Sequence, residues 1–181
     1  MHRSVSGGFL APLTLPPMNK QIVILLLVIA ALPLMSLRGN DPAPLVPTAA
    51  DLAPQPKIGK SDAEWKAQLP EAQYRILRGH STERACSSVH RRGVFHCAGC
   101  GAPLFASDGK FESGTGWPSF TKPFLPGNVV IQKDHSLGMD RDEVLCARCG
   151  GHLGHVFNDG PPPTGQRYCM NGLVLKFEER P

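Results

Sequence analysis

The 181-residue sequence predicts a mainly β protein with short N-terminal helices and a four-cysteine metal site. Beyond Gly79, short apolar stretches alternate with Gly, Pro, Asp and Asn, which is typical of short antiparallel strands. The same region holds two Cys-x-x-Cys pairs, and together these can bind one metal ion. We therefore expect a twisted β-sandwich or open barrel in which a zinc ion joins two loops.

The predicted strands follow the apolar stretches in order. They lie at residues 94–95, 104–105, 129–131, 144–145 and 173–175, and a further buried strand bears Cys169. Two helices are predicted before them. Ser61 and Glu64 form a capping box that starts a helix through Trp65 and Leu69. Pro70 suits the first position of a second helix, which runs to about Gly79.

Four of the six cysteines form the predicted zinc site, namely Cys97, Cys100, Cys146 and Cys149. Each Cys-x-x-Cys turn can present two thiolates to one ion at about 2.3 Å, so two turns complete a tetrahedral shell. Both turns are followed by glycine, which permits a tight reversal of the chain. Two redox pairs and structural disulfides are the alternatives, but neither pair lies in the βαβ pattern expected of a redox Cys-x-x-Cys.

The N-terminus predicts export. Residues 21–37 carry no charge, and 22–32 are continuously apolar between Lys20 and Arg38, so 1–38 are predicted to be an export signal or signal anchor. The apolar run is short for a membrane span of about 20 residues, which favours a secretory signal. No clear cleavage site follows, so membrane attachment through an uncleaved segment stays open. We expect an extracytoplasmic, periplasmic protein with a Pro-rich linker over 39–60 and a domain over 61–181.

The charge distribution argues against a nucleic-acid partner. The whole chain has a formal charge of +4, but residues 80–181 hold 11 Lys and Arg against 10 Asp and Glu. No run of basic residues interleaved with aromatics is present. Because nucleic-acid binding depends on a concentrated basic surface, we expect no such partner.

Residues 151–172 carry the densest chemistry. His152 and His155 are three residues apart, and Arg167 lies close to Cys169 in sequence. A cysteine is nucleophilic as the thiolate, and positive or hydrogen-bonding neighbours favour that form. The alternative is that both histidines join the metal site while Cys169 is a small buried hydrophobe, although four cysteines already complete a tetrahedral shell.

These motifs support a resemblance. The run 113–120, the run 152–161 and the Arg167-Tyr168-Cys169-x-Asn171 segment, together with both Cys-x-x-Cys turns, resemble the peptide methionine-R-sulfoxide reductase B family. The match spans 62–176 and implies two antiparallel β-sheets with N-terminal helices. It also implies a thiol-dependent reductase that repairs oxidised methionine in proteins and peptides.

The resemblance implies a role for each matching residue. Cys169 corresponds to the catalytic nucleophile, which forms a sulfenic acid, and His152 and His155 to the two active-site histidines, whose imidazoles suit proton delivery. Trp117 corresponds to the apolar wall against the substrate methyl group. The supporting positions that match are Asn171, Asp159 and Arg167.

One residue departs from the common pattern of the family. Thr115 stands where many members carry a resolving cysteine, and threonine cannot form a disulfide. Cys86 is the one remaining cysteine, so we expect a Cys86–Cys169 disulfide that a thioredoxin-like protein reduces. Direct reduction of the sulfenic acid by an external thiol is the alternative.

Two other classes of protein remain open on the sequence. A non-catalytic zinc-ribbon module that binds protein or nucleic acid accounts for the four paired cysteines, but leaves Trp117, His152, His155 and Cys169 without a joint purpose. A disulfide oxidoreductase uses Cys86 and Cys169 but gives no reason for Trp117.

Overall fold

The computed structural model describes residues 43–85 and 89–181. This part of the chain contains three helices, α1 Ala49–Leu52, α2 Asp62–Gln68 and α3 Glu71–Leu77. Its nine strands are β1 Gly93–Cys97, β2 Pro103–Ala106, β3 Lys110–Phe111, β4 Ser119–Phe120, β5 Val129–Asp134, β6 Arg141–Cys146, β7 His152–Phe157, β8 Arg167–Met170 and β9 Leu175–Glu179.

The strands form two antiparallel sheets. The small sheet has the order β2-β1-β9, and the large sheet has the order β3-β4-β8-β7-β6-β5. Aromatic side chains pack the two sheets together: the Phe105 ring from β2 stacks on Phe120 from β4 at 4.6 Å, and Phe95 from β1 meets Phe120 edge-on at 5.1 Å. Both Phe105 and Phe120 are fully buried. The predicted mainly β class with two antiparallel sheets is confirmed.

The predicted helices form, with one shift at a boundary. Ser61 caps α2 through the expected box, in which the Ser61 hydroxyl accepts from the Glu64 backbone and the Glu64 carboxylate accepts from the Ser61 N–H at 2.7 Å. Helix α3 begins one residue later than expected, because Pro70 is extended at φ −53° and ψ 143° and precedes the first turn. Trp65 and Leu77 are buried in the core, as their apolar character predicts.

The predicted linker over 39–60 is described by the structure from residue 43 onwards. Residues 49–52 form helix α1, and Thr48 caps it by a capping box with Asp51. The Asp51 carboxylate is almost fully buried and pairs with both terminal nitrogens of Arg180, at 2.6 and 3.0 Å. This ion pair and the local cap hold residues 48–52 of the predicted linker in a defined conformation.

The Asp51→Asn variant is expected to lower the free energy of unfolding by about 2 kcal/mol at pH 7, because it removes a buried charge-assisted hydrogen-bond pair. Hydrogen bonding to Arg180 holds the pKa of the Asp51 carboxyl well below its usual range. This contribution is therefore present above the unfolded pKa of about 3.9 and is lost as the pH falls towards the folded pKa. Urea denaturation at pH 7 and pH 3 measures the difference, which is expected to shrink at pH 3.

The matched control is Asp140→Asn, because the Asp140 side chain is exposed and pairs only with the exposed His135. Its effect is expected to be within about 0.5 kcal/mol. An equal effect of the two variants would contradict the assignment of Asp51 as a structural anchor.

Four predicted strands are confirmed as β1, β2, β5 and β6, and the strand bearing Cys169 as β8. The stretch 173–175 is wrong in part: Gly172–Val174 form a 3-10 turn, and β9 begins only at Leu175. The turn arises because the backbone N–H groups of Gly172 and Leu173 donate to the Glu83 carboxylate instead of a neighbouring strand.

The predicted export segment, residues 1–38, lies outside the described residues. Across 43–85 and 89–181, no helix is both long enough and apolar enough to span a membrane.

Candidate active site and metal centre

The four paired cysteines come together at one point between the sheets. Cys97 ends β1 of the small sheet and Cys146 ends β6 of the large sheet, while Cys100 and Cys149 lie in the turns that follow. All four sulfurs lie within 4.8 Å of one another, with Cys97 Sγ to Cys149 Sγ at 3.8 Å and Cys100 Sγ to Cys146 Sγ at 3.5 Å. Four sulfurs at about 2.3 Å from one tetrahedral ion would be about 3.8 Å apart. The predicted metal ligand set therefore fits a single ion.

The local backbone explains why each pair turns inwards. Gly101 and Gly150 follow the turns at φ 77° and 68°, and their N–H groups donate to Cys97 O and Cys146 O at 2.8 Å. Only glycine adopts this left-handed conformation without steric cost. All four cysteines are free thiols, so the disulfide alternative is not what the structure shows.

Side chains from outside the motifs fasten both turns. Arg148 donates to Cys100 O at 2.7 Å and Arg78 donates to Cys149 O at 3.0 Å. Gln68 at the end of α2 donates to Gly99 O at 2.9 Å. These contacts anchor the helices on the metal centre, and the sequence analysis missed them because each joins residues more than thirty positions apart.

The predicted nucleophile is not part of that cluster and lies on β8 of the large sheet. Cys169 is half-buried, faces His155 of β7 across one strand pair and Ser119 of β4 across the other. It lines a pocket of about 230 Å³. The other residues lining this reaction pocket are Thr82, Trp117, Arg141, Gly154, His155, Phe157, Met170 and Asn171. Cys169 is therefore not a fully buried hydrophobe.

Trp117 lines the same pocket as Cys169. Trp117 is half-buried, and its indole Nε1 donates to Glu83 O at 3.3 Å. This hydrogen bond fixes one edge of the ring and leaves part of its apolar surface available to the pocket. Trp117 is therefore not a fully buried core residue.

The two histidines occupy different surroundings. His155 lines the reaction pocket, and its Nε2 lies 2.8 Å from the Asp134 carboxylate. His152 is fully buried, lies outside that pocket, and contacts His155 at 5.4 Å between ring centroids. Neither histidine joins the four-cysteine cluster. Hydrogen bonds from Ser136 and then from His155 hold the pKa of Asp134 well below its usual range.

Of the three supporting residues, Asn171 lines the reaction pocket and Arg167 does not. Arg167 makes two parallel hydrogen bonds to the Asp159 carboxylate, both at 2.8 Å, and its guanidinium lies 4.5 Å above the Phe157 ring. Hydrogen bonding to Asp159 raises the pKa of Arg167, so this cation persists beside Cys169. Asn171 is buried and donates to Leu153 O at 3.0 Å. Asp159 itself does not line the reaction pocket.

Glu83 is a positioning element that the sequence analysis missed. Its N–H donates to Asn171 Oδ1 at 3.0 Å, its carbonyl accepts from Trp117, and its carboxylate accepts from the N–H of Leu173 at 2.9 Å. One residue thus links the segment after α3 to both sides of the reaction pocket. No local pattern could reveal this role, because its partners lie 34 to 90 residues away.

Cys86, the expected resolving cysteine, lies outside the described residues. Ala85 is the last described residue before Cys86. Ala85 lies close to Gly116, since a Cβ added at Gly116 would be only 2.8 Å from the Ala85 Cβ. Thr115 is exposed, and its hydroxyl lies 2.8 Å from that of Ser113. The Cys86–Cys169 pairing therefore stays a prediction.

Fold and site define a class of protein: a small two-sheet β protein with a four-cysteine metal centre and a separate cysteine–histidine–tryptophan pocket. The family model that matches is described as a SelR domain and covers residues 69–179. The chain belongs to this family, and its curated relatives carry the name MsrB.

Three relatives illustrate the match. Peptide methionine sulfoxide reductase MsrB of Agrobacterium fabrum is 54% identical over 127 residues, which cover 68% of this chain and 94% of that protein. The Leptospira interrogans protein of the same name is 55% identical over 127 residues, covering 68% and 97%. That of Methanosarcina mazei is 52% identical over 127 residues, covering 68% and 91%. The predicted family and oxidoreductase class are confirmed, and a non-catalytic zinc-ribbon module is not favoured.

Proposed function

We propose that this protein reduces methionine-R-sulfoxide in oxidised proteins and peptides. The observation that carries the proposal is the reaction pocket, where the thiol of Cys169, the imidazole of His155 and the indole of Trp117 meet around about 230 Å³. A pocket of this size suits one side chain rather than a large cofactor. The relatives named above are peptide methionine sulfoxide reductases, which supports the same chemistry here.

The first step transfers the sulfoxide oxygen to Cys169. The Cys169 thiolate attacks the substrate sulfur, the S=O oxygen takes one proton, and the products are methionine and a Cys169 sulfenic acid. Arg167 supports a negative charge at Cys169, because it is a permanent cation locked by Asp159. His155 stands opposite Cys169, where an imidazole can exchange the proton that the oxygen requires.

Trp117 is the proposed determinant of epimer choice. A flat apolar wall accepts the ε-methyl group but gives the polar sulfoxide oxygen no hydrogen-bond partner on that side. The oxygen must then point towards the histidines. The anchoring of the indole by Glu83 keeps this wall in one orientation.

The test of the function is incubation of a racemic methionine sulfoxide peptide with the full chain and dithiothreitol, followed by chiral separation. We expect the R epimer to disappear and the S epimer to persist. Consumption of both epimers would contradict the role of Trp117, and consumption of neither would contradict the enzymatic proposal. Insulin reduction under the same conditions would instead support a disulfide oxidoreductase.

Recycling is proposed to proceed through Cys86. Its thiol condenses with the Cys169 sulfenic acid, which releases water and forms a disulfide that an external dithiol then reduces. Support comes from the flanking chain: Ala85 packs beside Gly116, and Glu83 contacts Asn171, two residues after Cys169. Thr115 cannot serve in this step.

The Cys86→Ser variant is expected to release one methionine per chain in a single turnover but to lose most of its sustained activity with a thioredoxin-like reductant. The reason is that the sulfenic acid forms normally but has no partner thiol. Mass spectrometry of the wild type after one turnover without reductant is expected to show a Cys86–Cys169 peptide linkage. Full sustained activity of Cys86→Ser, with no such linkage in the wild type, would favour direct reduction by an outside thiol.

The metal is proposed to be one structural zinc ion. Four thiolates in a closed tetrahedral set suit Zn²⁺ and leave no open position for substrate, although iron also accepts four thiolates. The residues that would hold it are the four paired cysteines, and the ion would join the two sheets without taking part in the redox chemistry. Elemental analysis of the purified protein tests its identity.

Export is proposed from the apolar run at 22–32 and the basic residues on either side of it. A periplasmic location would require a dedicated thioredoxin-like donor, because thiols outside the cytosol tend to be oxidised. Cell fractionation with N-terminal sequencing of the mature protein tests both location and cleavage. A cytosolic, unprocessed chain would contradict this proposal without affecting the enzymatic one.

A further inference from the structure

Glu143 is a buried carboxylate that two histidines share. Its Oε1 lies 2.5 Å from Nδ1 of His152 and 2.5 Å from Nδ1 of His80, and its Oε2 accepts from Gln132 at 2.8 Å. Glu143 lies on β6, His152 on β7, and His80 on the segment after α3. The Glu143 side chain is only 6% exposed, so this contact lies within the folded body of the protein.

The spacing of these atoms favours hydrogen bonds over a metal ion. Two ligands at about 2.1 Å from one tetrahedral ion would be about 3.4 Å apart. The observed separation of 2.5 Å between each histidine nitrogen and the carboxylate oxygen is too short for that arrangement. A direct hydrogen bond to an ionised acceptor, which is the shorter kind of contact, accounts for it better than a shared ion does.

The protonation of the group follows from its contacts. Burial raises the pKa of the Glu143 carboxyl, but hydrogen bonds from Gln132, His80 and His152 outweigh this and bring it below its usual value. An ionised carboxylate only accepts hydrogen bonds, so Nδ1 of His152 carries its proton. Nε2 of His152 is buried and has no hydrogen-bond partner among residues 43–85 and 89–181.

We propose that Glu143 is a positioning residue for sulfoxide reduction, which holds the Nδ1–H of His152 and leaves Nε2 as the atom that exchanges a proton with His155, whose ring centroid lies 5.4 Å from that of His152 and which lines the reaction pocket. His80 contacts the same carboxylate oxygen and therefore competes with His152 for it. When protonated, His152 gives its Nε2 proton to His155 as His155 delivers one to the departing sulfoxide oxygen, and His152 remains neutral with Nδ1–H on Glu143. The inference rests on the proposed function, because it assigns a role within that reaction.

The location of His152 suits this role. It lines a polar cleft of about 680 Å³, which shares Thr82, Arg141 and His155 with the reaction pocket. His155 therefore borders both the cleft that holds His152 and the reaction pocket. The other charged or titratable groups that line this cleft are Arg75, Lys133, Asp134, His135, Arg141 and His155.

Glu143 and His80 shift the pKa of His152 in opposite directions. Burial lowers the pKa of His152, Glu143 opposes this by hydrogen bonding and charge, and His155 and His80 lower it further. Glu143→Gln is therefore expected to lower the pKa of His152, whereas removing the His80 imidazole is expected to raise it. A packing defect would not produce opposite signs.

The experiment follows the His152 ring by NMR titration in the metal-loaded full chain and compares it with the pH profile of kcat. Glu143→Gln is expected to lower the His152 pKa by about 1 unit and to reduce kcat about 10²-fold, with little change in KM. His80→Asn is expected to raise the same pKa. The His80 side chain is 55% exposed at φ 52°, a conformation that asparagine tolerates, so this variant is expected to fold.

Asp140→Asn is the matched control, because it also changes a carboxylate to an amide near the β5–β6 hairpin but its side chain faces solvent. The His152 titration is expected to be unchanged in it. Shifts of equal sign in Glu143→Gln and His80→Asn, or no shift in either, would overturn the proposal. The titration needs no substrate, so opposite shifts without any sulfoxide reduction would instead count against the proposed function alone.

Discussion

The Cys169→Ser variant is expected to lose methionine sulfoxide reduction by roughly 10³-fold or more while its metal content stays at the wild-type level. Serine occupies nearly the same volume, so the reaction pocket with Trp117 and His155 keeps its shape. Its hydroxyl is a much poorer nucleophile than a thiolate and cannot accept the oxygen as a sulfenic acid. Single-turnover release of methionine and elemental analysis of the same sample measure both quantities.

The control for this variant is Cys86→Ser, an identical chemical change at the other unpaired cysteine. Cys86→Ser is expected to release methionine in the first turnover, whereas Cys169→Ser is expected to release none. A stoichiometric first turnover in Cys169→Ser would show that another group attacks the sulfoxide. Equal loss of metal in both variants would show that the metal centre and the reaction pocket are not separate.

The Cys97→Ser variant is expected to lose its metal and most of its folded structure. Cys97 is fully buried at the end of β1, and its sulfur lies 3.8 Å from that of Cys149 in the large-sheet half of the centre. Structural zinc contributes on the order of 10 kcal/mol to the folding of a small domain, which is comparable with the whole stability of such a protein. Elemental analysis and near-ultraviolet circular dichroism measure the two losses.

Cys169→Ser is the matched control for the Cys97 variant, because both exchange one thiol for a hydroxyl within the same domain. It is expected to keep its near-ultraviolet spectrum and its metal. A chelator is expected to unfold the wild type in the same way as the Cys97 change. A folded, active Cys97→Ser protein without metal would contradict a structural role for the centre.

Features with local causes could be predicted from the sequence. Helix α2 forms at Ser61 because the capping box satisfies its first N–H groups within four residues. The cysteine turns form because Gly101 and Gly150 supply the left-handed residue that each reversal requires. Cys97 and Cys146 could be assigned to one site because the two Cys-x-x-Cys turns together supply the four ligands of a tetrahedral ion.

Features with distant causes could not be predicted. Helix α1 is held by the Asp51–Arg180 pair, whose members are 129 residues apart, so the local proline-rich sequence does not predict it. Glu83 and Glu143 look like ordinary surface acids in the sequence. Only the fold shows that one holds the chain beside Asn171 and the other is buried between two histidines.

The sequence by itself determined the family, the mainly β two-sheet class and the grouping of the four paired cysteines, and it predicts Cys169 as the nucleophile, because each depends on residue types at short, regular spacings. The tertiary structure decided how His152 and His155 differ, with one buried against Glu143 and the other in the reaction pocket beside Asp134. Two histidines three residues apart are equivalent in a pattern. They become different because neighbouring strands place a separate carboxylate beside each ring, and that placement depends on sheet register rather than on local sequence.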